Sequence, residues 1–269
     1  MKFHHHGYIS EDPRVKIVDD ACVDRDPNLP DEMDVLIVGS GPAGMITAAQ
    51  LSVFPDIEAR IIESRDGRLP LGHADGIQAR SVETFQAFGF AEEVIEEGYR
   101  ITETAFWKPD PENPDHIVRT GWTDDDPAGL SEFPHLIVNQ ARVLDYFRRF
   151  MQRQPSRMPV NFGWELERLR VNDGEEYPVE CEIVGTGAEN KGEKRTVRAK
   201  YVLGGDGARS TVRKTLGHHL EGDASMHAWG VIDVMSNTDF PDIQLKCSIQ
   251  SHDKGNILLI PREGGYLVR

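Results

Sequence analysis

The chain runs Val35-Leu36-Ile37-Val38 straight into Gly39-Ser40-Gly41-Pro42-Ala43-Gly44, and no other passage restricts the fold so strongly. A short apolar run without polar alternation is the pattern of a strand buried on both faces of a parallel sheet. Helix-forming residues follow from Gly44 to Leu51, and Ile57 to Glu63 reads as a second strand. Together they make a β-α-β unit, which commits the core to a Rossmann-like α/β architecture.

The glycine spacing is that of a dinucleotide-binding turn. A pyrophosphate needs backbone N–H donors, the positive end of a helix and close approach of the main chain. Gly39 makes the tight turn, Gly41 lets the backbone reach the phosphate, and Gly44 lets the helix pack on the strand, with Ser40, Pro42 and Ala43 completing the loop. Glu63 lies 19 residues beyond Gly44 at the end of the second strand. A carboxylate there accepts hydrogen bonds from ribose hydroxyls and disfavours a 2′-phosphate. The alternative is a glycine-rich strand-to-helix turn without a ligand, but here the strand, the helix and the acid are all in place.

A second glycine segment, Gly204-Gly205-Asp206-Gly207-Ala208-Arg209-Ser210, reads as a strand end, a turn and a capped helix start. Asp206 is expected to aim at the nucleotide; the alternative is that Asp206 and Ser210 serve only the backbone. The two segments together narrow the dinucleotide to FAD.

With 269 residues the chain can bury a sizeable core. Its 45 acidic against 30 basic residues give a formal charge of −15, which repels nucleic acid and anionic membrane surfaces. Neither is expected as a partner. Cys22, Cys181 and Cys247 are too few and too far apart for a disulfide framework or a zinc cluster, so a reducing cytoplasm is the expected setting. The sequence has no apolar signal core and no run near the roughly 20 apolar residues of a membrane span. His4-His5-His6 reads as a solvated arm rather than a tag or a metal site, and no metal ligands are assigned.

Residues 1–33 are expected to form an irregular arm, 34–217 the nucleotide-binding domain with an excursion over 100–135, and 218–269 the start of a second, mostly antiparallel β-sheet domain. Ser81 is read as the cap of a helix through Phe88 that Gly89 stops. Gln140 to Arg153 carries Val143, Leu144, Phe147 and Met151 at helical spacing. Pro109 to Pro134 reads as a loop or weak hairpin whose acidic run Asp124-Asp125-Asp126 is solvated. Strands are expected over Val179–Val184, Thr196–Leu203, Trp229–Val234, Gln244–Gln250 and Asn256–Ile260, and in the terminal Tyr266–Arg269.

The glycine segments occur with Leu71-Gly72-His73-Ala74-Asp75-Gly76-Ile77-Gln78-Ala79-Arg80-Ser81-Val82-Glu83, Asn139-Gln140-Ala141-Arg142-Val143, Trp229-Gly230-Val231, Asp239-Phe240-Pro241-Asp242-Ile243 and Ile260-Pro261-Arg262-Glu263. In this order they resemble the class A flavoprotein aromatic hydroxylases, in the branch of phenol 2-monooxygenase and 3-hydroxybenzoate 4-monooxygenase. The resemblance implies FAD as cofactor, NADPH as electron donor without a second Rossmann domain, and O2 as oxidant. It implies a flavin C4a-hydroperoxide whose distal oxygen is attacked by a phenolic small molecule.

Asp75 matches the family's aspartate at the phenol hydroxyl, where it would act as general base. Arg262 matches an arginine that would stabilise developing phenolate. Read by themselves, these are a turn aspartate and a surface Arg262–Glu263 pair. Gln140 matches a flavin-contacting glutamine, whereas Arg142 reads equally as a helix-surface charge. Glu63, Ser64 and Arg65, with Gly72, Ala74, Gly76, Ile77 and Gln78, lie where the family wraps FAD. His135 and Lys246 could meet a ring carboxylate, favouring hydroxybenzoate over simple phenol; the alternative is a satisfied histidine and a strand-surface lysine.

The chain departs from the family's pattern at His73, commonly glutamine, and at Gly205, commonly cysteine. Full-length relatives continue with an aromatic residue after the Leu-Val-Arg segment, a third flavin motif of Gly-Asp-Ala type and a thioredoxin-like domain, so an N-terminal portion of a homodimeric enzyme is expected. Two other readings stay open, a non-catalytic flavin-binding fragment and a flavin-dependent reductase of the same architecture.

Overall fold

The computed structural model describes residues 3–4, 7–8, 22–23, 25–70, 72, 74–223 and 225–269. The expectations for His5, His6, Leu71 and His73 fall outside these residues. In chain order the elements are β1 (Phe3–His4), β2 (Gly7–Tyr8), β3 (Glu32–Val38), α1 (Pro42–Leu51), β4 (Ala59–Glu63), β5 (Gly76–Ile77), α2 (Ala79–Ala87), α3 (Ala91–Glu97) and β6 (Tyr99–Ile101). They continue with β7 (Glu103–Pro109), β8 (Ile117–Asp124), β9 (His135–Ile137), α4 (Gln140–Gln152), β10 (Val160–Phe162), β11 (Trp164–Val171) and β12 (Val179–Gly185). The last are β13 (Lys194–Gly204), α5 (Thr211–Thr215), β14 (Val234–Met235), β15 (Lys246–Gln250), β16 (Asn256–Leu259) and β17 (Leu267–Val268). No helix among the described residues is long and apolar enough to cross a membrane.

The described residues fall into two compact units, one from Lys16–Gly72 and Gln140–Ala224, the other from Met1–Val15, His73–Asn139 and Ser225–Arg269. The excursion is thus longer than the 100–135 expected, and the first unit ends beyond residue 217. The reason is strand pairing: β9 pairs with both β5 and β6, which draws the chain from Gly76 onward into the second unit.

The first unit is built on a six-stranded sheet of order β10-β4-β3-β13-β12-β11. β10, β4, β3 and β13 run parallel, and β12 and β11 continue it antiparallel. Leu36, Val38, Ile62, Cys181, Ile183, Val197 and Ala199 share one buried cluster with Leu166, Leu169 and Val212. α1 buries Met45, Ala48 and Ala49 and lies beside α4. On α4 the four residues read at helical spacing, Val143, Leu144, Phe147 and Met151, are all buried. The arm joins this unit sooner than expected: Leu29 is in the core, β3 starts at Glu32, and Arg25 donates to the carbonyls of Pro55 and Ile57 at 2.6 and 2.8 Å.

β11 was not legible in the sequence. Its register shifts between Leu166 and Arg168, so the buried Leu166 and Leu169 stand three apart and break the two-residue alternation that marks a strand.

In the second unit, β5-β9-β6 form an antiparallel three-stranded sheet and β16-β15-β7-β8 a four-stranded one, parallel only between β15 and β7. Three local expectations change here. α2 begins at Ala79 because the carbonyl of Gln78 already receives the amides of Ser81 and Val82, so Ser81 lies inside the first turn instead of capping it. The hairpin reading of the Pro109–Pro134 stretch holds, since it contains the strand β8, paired along its length with β7. Its acidic run is not merely solvated, since Asp125 meets buried His135 at 2.9 Å and Asp126 accepts from the amide of Ser131 at 3.1 Å. Of the strand expected over Trp229–Val234 only Val234 is one, paired with Val268.

Candidate active site

Parallel pairing of β13 with β3 places Gly204 opposite Val38, so the two glycine segments, remote in sequence, are neighbours. The Gly205 amide donates to the Val38 carbonyl and the Gly39 amide to the Ile62 carbonyl, each at 2.8 Å. Gly39 has φ of +96°, and a Cβ there would come 2.7 Å from the Gly205 oxygen. A Cβ on Gly44 would lie 1.9 Å from the Gly39 oxygen. At Gly205, where the family commonly carries cysteine, a Cβ would stand 3.0 Å from the Gly44 nitrogen, so a side chain there needs a small backbone adjustment.

Gly41 differs from its neighbours. A Cβ on it would find nothing closer than the Gly205 oxygen at 3.9 Å, so its smallness leaves open space in front of the helix. α1 starts at Gly41 without a side-chain cap, with Pro42 in its first turn and no acidic residue there. Pro42 and Ala43 are exposed. Amides without a side-chain cap at the positive end of a helix, with no acidic residue in its first turn, fit a pyrophosphate.

Glu63 ties this turn to the end of β4. Its Oε2 accepts from the Ser40 amide at 2.9 Å, the Ser40 hydroxyl at 2.7 Å and Arg65 Nη2 at 2.9 Å; its Oε1 accepts from the Arg65 amide at 3.0 Å and the Ser64 hydroxyl at 3.3 Å. Among the described residues Arg65 Nε, though buried, has no acceptor. A small cavity beside it is lined by Ser40, Arg65, Arg68, Leu144 and Asp145. Arg142 joins Arg68 on Asp145, at 3.1 Å, in keeping with its reading as a helix charge.

Burial alone pushes the Glu63 carboxyl up, but the Arg65 amide, the Ser40 hydroxyl and amide and the Arg65 guanidinium outweigh it and hold it below the usual carboxylate value. A lowered native value means that its stabilisation is present above about pH 4.5, the ordinary glutamate value, and is lost as the pH falls through the lower native one. Glu63→Gln is therefore expected to lower stability at neutral pH and to flatten the decline on acidification. Urea midpoints of parent and variant from pH 7 to pH 3 check this; parallel curves would contradict it.

Asp206 accepts from the Ser210 hydroxyl and the Thr211 amide, both at 2.6 Å, and from the Val212 amide at 3.2 Å. Ser210 in turn caps α5 by accepting from the Arg213 amide. The pair thus does what the backbone-serving alternative describes. Gly72 and Gln140 also belong to this unit, Gln140 as the first residue of α4.

In the second unit Ala74 and Asp75 lead into β5, whose Gly76 and Ile77 pair with Ile137 and Leu136, and Gln78 stands at the start of α2. Asp75 is only 6% exposed and Arg262 only 4%. Arg262 Nη1 lies 3.1 Å from Asp75 Oδ2, so the surface-pair alternative for Arg262 does not hold. Arg269 Nη1 also pairs with Asp75 Oδ2. The sequence motifs did not point to Arg269 or to its partner Asp233, which it meets at 2.7 and 2.8 Å. A signal was present: Gly264 and Gly265, with φ of +80° and +73°, turn the chain so that Arg262 pairs with Leu267 and Ile260 with Arg269.

His135 is buried on β9 with Nδ1 on Asp125, while Lys246 is half-buried on β15 of the other sheet. The two expected carboxylate contacts thus stand on different sheets. Cys247, beside Lys246, is buried, and burial with nearby Asp242 pushes its thiol up to about 11.

The FAD binding domain family matches residues 32–269. The chain belongs to this family. It is 45% identical over its whole length to 3-hydroxybenzoate 4-monooxygenase of Comamonas testosteroni, of which it spans 42%. It is 30% identical to a phenol 2-monooxygenase of Aspergillus fumigatus over 88% of its length, spanning 38% of that protein. The relatives therefore fall in the branch that the motifs pointed to, and the chain spans less than half of either. Among solved structures, p-nitrophenol 4-monooxygenase from Pseudomonas putida DLL-E4 shares the fold at 20% identity, with a TM-score of 0.67 over 89% of this chain and 57% of that one. An aklavinone-11 hydroxylase in complex with FAD and aklavinone is 25% identical, with a TM-score of 0.56 over 71% of this chain and 36% of that one.

Proposed function

We propose that this FAD-binding chain is the part of a flavoprotein monooxygenase that holds FAD and activates a phenolic substrate of the phenol or 3-hydroxybenzoate type for hydroxylation with NADPH and O2. The observation that carries the reading is the buried Asp75 carboxylate with Arg262 and Arg269 on it, in a chain whose glycine turn fits a pyrophosphate. FAD, when bound, supplies the redox chemistry between NADPH and O2. The chain's own residues do the rest.

The amides of the α1 turn hold the pyrophosphate, and Glu63 and Arg65 meet the ribose beside it. A free aspartate titrates near pKa ~4 and a phenol near ~10, so a proton does not pass between them in water. Next to Arg262 and Arg269 the phenolate is stabilised more than the phenol, and the hydroxyl proton passes to Asp75. The ring becomes far more nucleophilic as it loses that proton. His135 and Lys246 are the candidates for a ring carboxylate. A homodimer of the full-length protein in the cytoplasm belongs to the same proposal.

The test is a panel of phenols and hydroxybenzoates given to the intact protein with NADPH and isotopically heavy O2. At least one aromatic is expected to stimulate NADPH oxidation and to leave as a product carrying one heavy oxygen. Oxidation without oxygen insertion would favour a reductase instead, and a rate unmoved by the whole panel would sink the proposal.

A further inference from the structure

Asp233 meets both arginines that reach Asp75. Arg269 presents its guanidinium side-on, Nε to Asp233 Oδ1 at 2.7 Å and Nη2 to Oδ2 at 2.8 Å, a two-point pairing that fixes the plane of the group as well as its position. Its Nη1 is then the nitrogen on Asp75 Oδ2. Arg262 Nη1 stands 3.1 Å from Asp75 Oδ2 and 3.4 Å from Asp233 Oδ2. The backbone prepares this arrangement, because Val234 pairs with Val268 and so sets Asp233 beside Arg269 across two antiparallel strands.

The four charges of Asp75, Asp233, Arg262 and Arg269 sum to zero. Asp233 is the outermost of them, its side chain 39% exposed against 5% for Asp75 and Arg262. An ion pair that open to water adds little to stability, so stability is a weak reason for it. Orientation is a better one, since an arginine released from a two-point partner regains several rotamers. Its hydrogen bond with Arg269 holds the Asp233 carboxyl below the usual range against the opposing effect of burial, in keeping with an ionised partner.

We propose that Asp233 is a positioning residue of this site, whose carboxylate fixes the plane of Arg269 and stands against Nη1 of Arg262, so that both arginines meet Asp75 Oδ2. The inference rests on the reading of Asp75 as acceptor of the substrate proton. Without Asp233 the two guanidinium groups re-aim, and the cluster gains one net positive charge around Asp75.

The experiment compares Asp233→Asn, Asp233→Glu and Asp75→Asn in the intact protein. Asp233→Asn is expected to lower kcat per bound flavin about tenfold or more, as small misplacements in a site do, with FAD content and Tm near those of the parent. Asp233→Glu, which restores a carboxylate, should recover most of that loss. A second readout needs no turnover: in urea unfolding, the effects of Asp75→Asn and Asp233→Asn on the unfolding constant should fail to multiply, by about fivefold or more, because both residues draw on the same arginines. Parent-like kcat per flavin in Asp233→Asn beside an inactive Asp75→Asn, or unfolding effects that multiply within about twofold, would overturn the positioning role. A fully active Asp75→Asn would instead overturn the function on which it rests, and the unfolding cycle would still decide whether the two carboxylates share their arginines.

Discussion

Gly44→Ala is expected to abolish FAD retention and to destabilise the first unit by roughly 2 kcal/mol or more, the scale of overpacking in a rigid site. The added Cβ falls 1.9 Å from the Gly39 oxygen and 3.4 Å from the Ile37 side chain. The nearer atom is backbone, held in a turn whose amide is bonded to Ile62, so it has no rotamer by which to yield. α1 must lift from β3, and the amides of its first turn move with it. Gly207→Ala is the matched control. Its φ of +76° gives backbone strain, but a Cβ there meets nothing within 4 Å, so a loss of about 1 kcal/mol with FAD retained is expected. Thermal unfolding and the flavin absorbance of purified variants separate the two outcomes.

Asp75→Asn should slow hydroxylation by about 10²–10⁴-fold at neutral pH while FAD binding persists, because the amide keeps the shape of the carboxylate and loses its basicity. The structure adds a cost in stability. Removing one partner of a buried ion pair costs about 3–5 kcal/mol when the other is stranded. Here Asp233 still holds Arg269 and lies near Arg262, so a smaller loss is expected. Rates must therefore be expressed per bound flavin and measured well below the Tm of the variant. A parent-like rate on that basis would remove Asp75 from the role of base.

What could be read from the sequence was what is local. The β3–α1–β4 unit and the buried face of α4 each announce themselves through one uninterrupted period, and Gly44 acts on Gly39 and Ile37, only a few residues away. β11 escaped because a register shift separates its buried leucines by three positions. The Trp229–Val234 stretch misled because apolar residues suggested a strand, whereas Trp229, Val231 and Ile232 are more than two-thirds exposed. The candidate site shows the same division. Asp75 and Arg262 could be named from motifs, but Arg269 and Asp233 reach them only through a hairpin return and a strand pair between residues 34 positions apart. Asp206 shows the converse, a motif residue whose carboxylate is committed to the start of α5.

The two glycine segments, packed on one another through Gly39, Gly44 and Gly205, form the turn that is to bind FAD. Titrating FAD into the flavin-free protein, with flavin fluorescence as the signal, tests it most directly. Saturable binding of one FAD per chain, lost in Gly44→Ala and kept in Gly207→Ala, is the predicted result. A folded parent protein that leaves FAD fluorescence unchanged, or a Gly44→Ala variant that binds as the parent does, would contradict it.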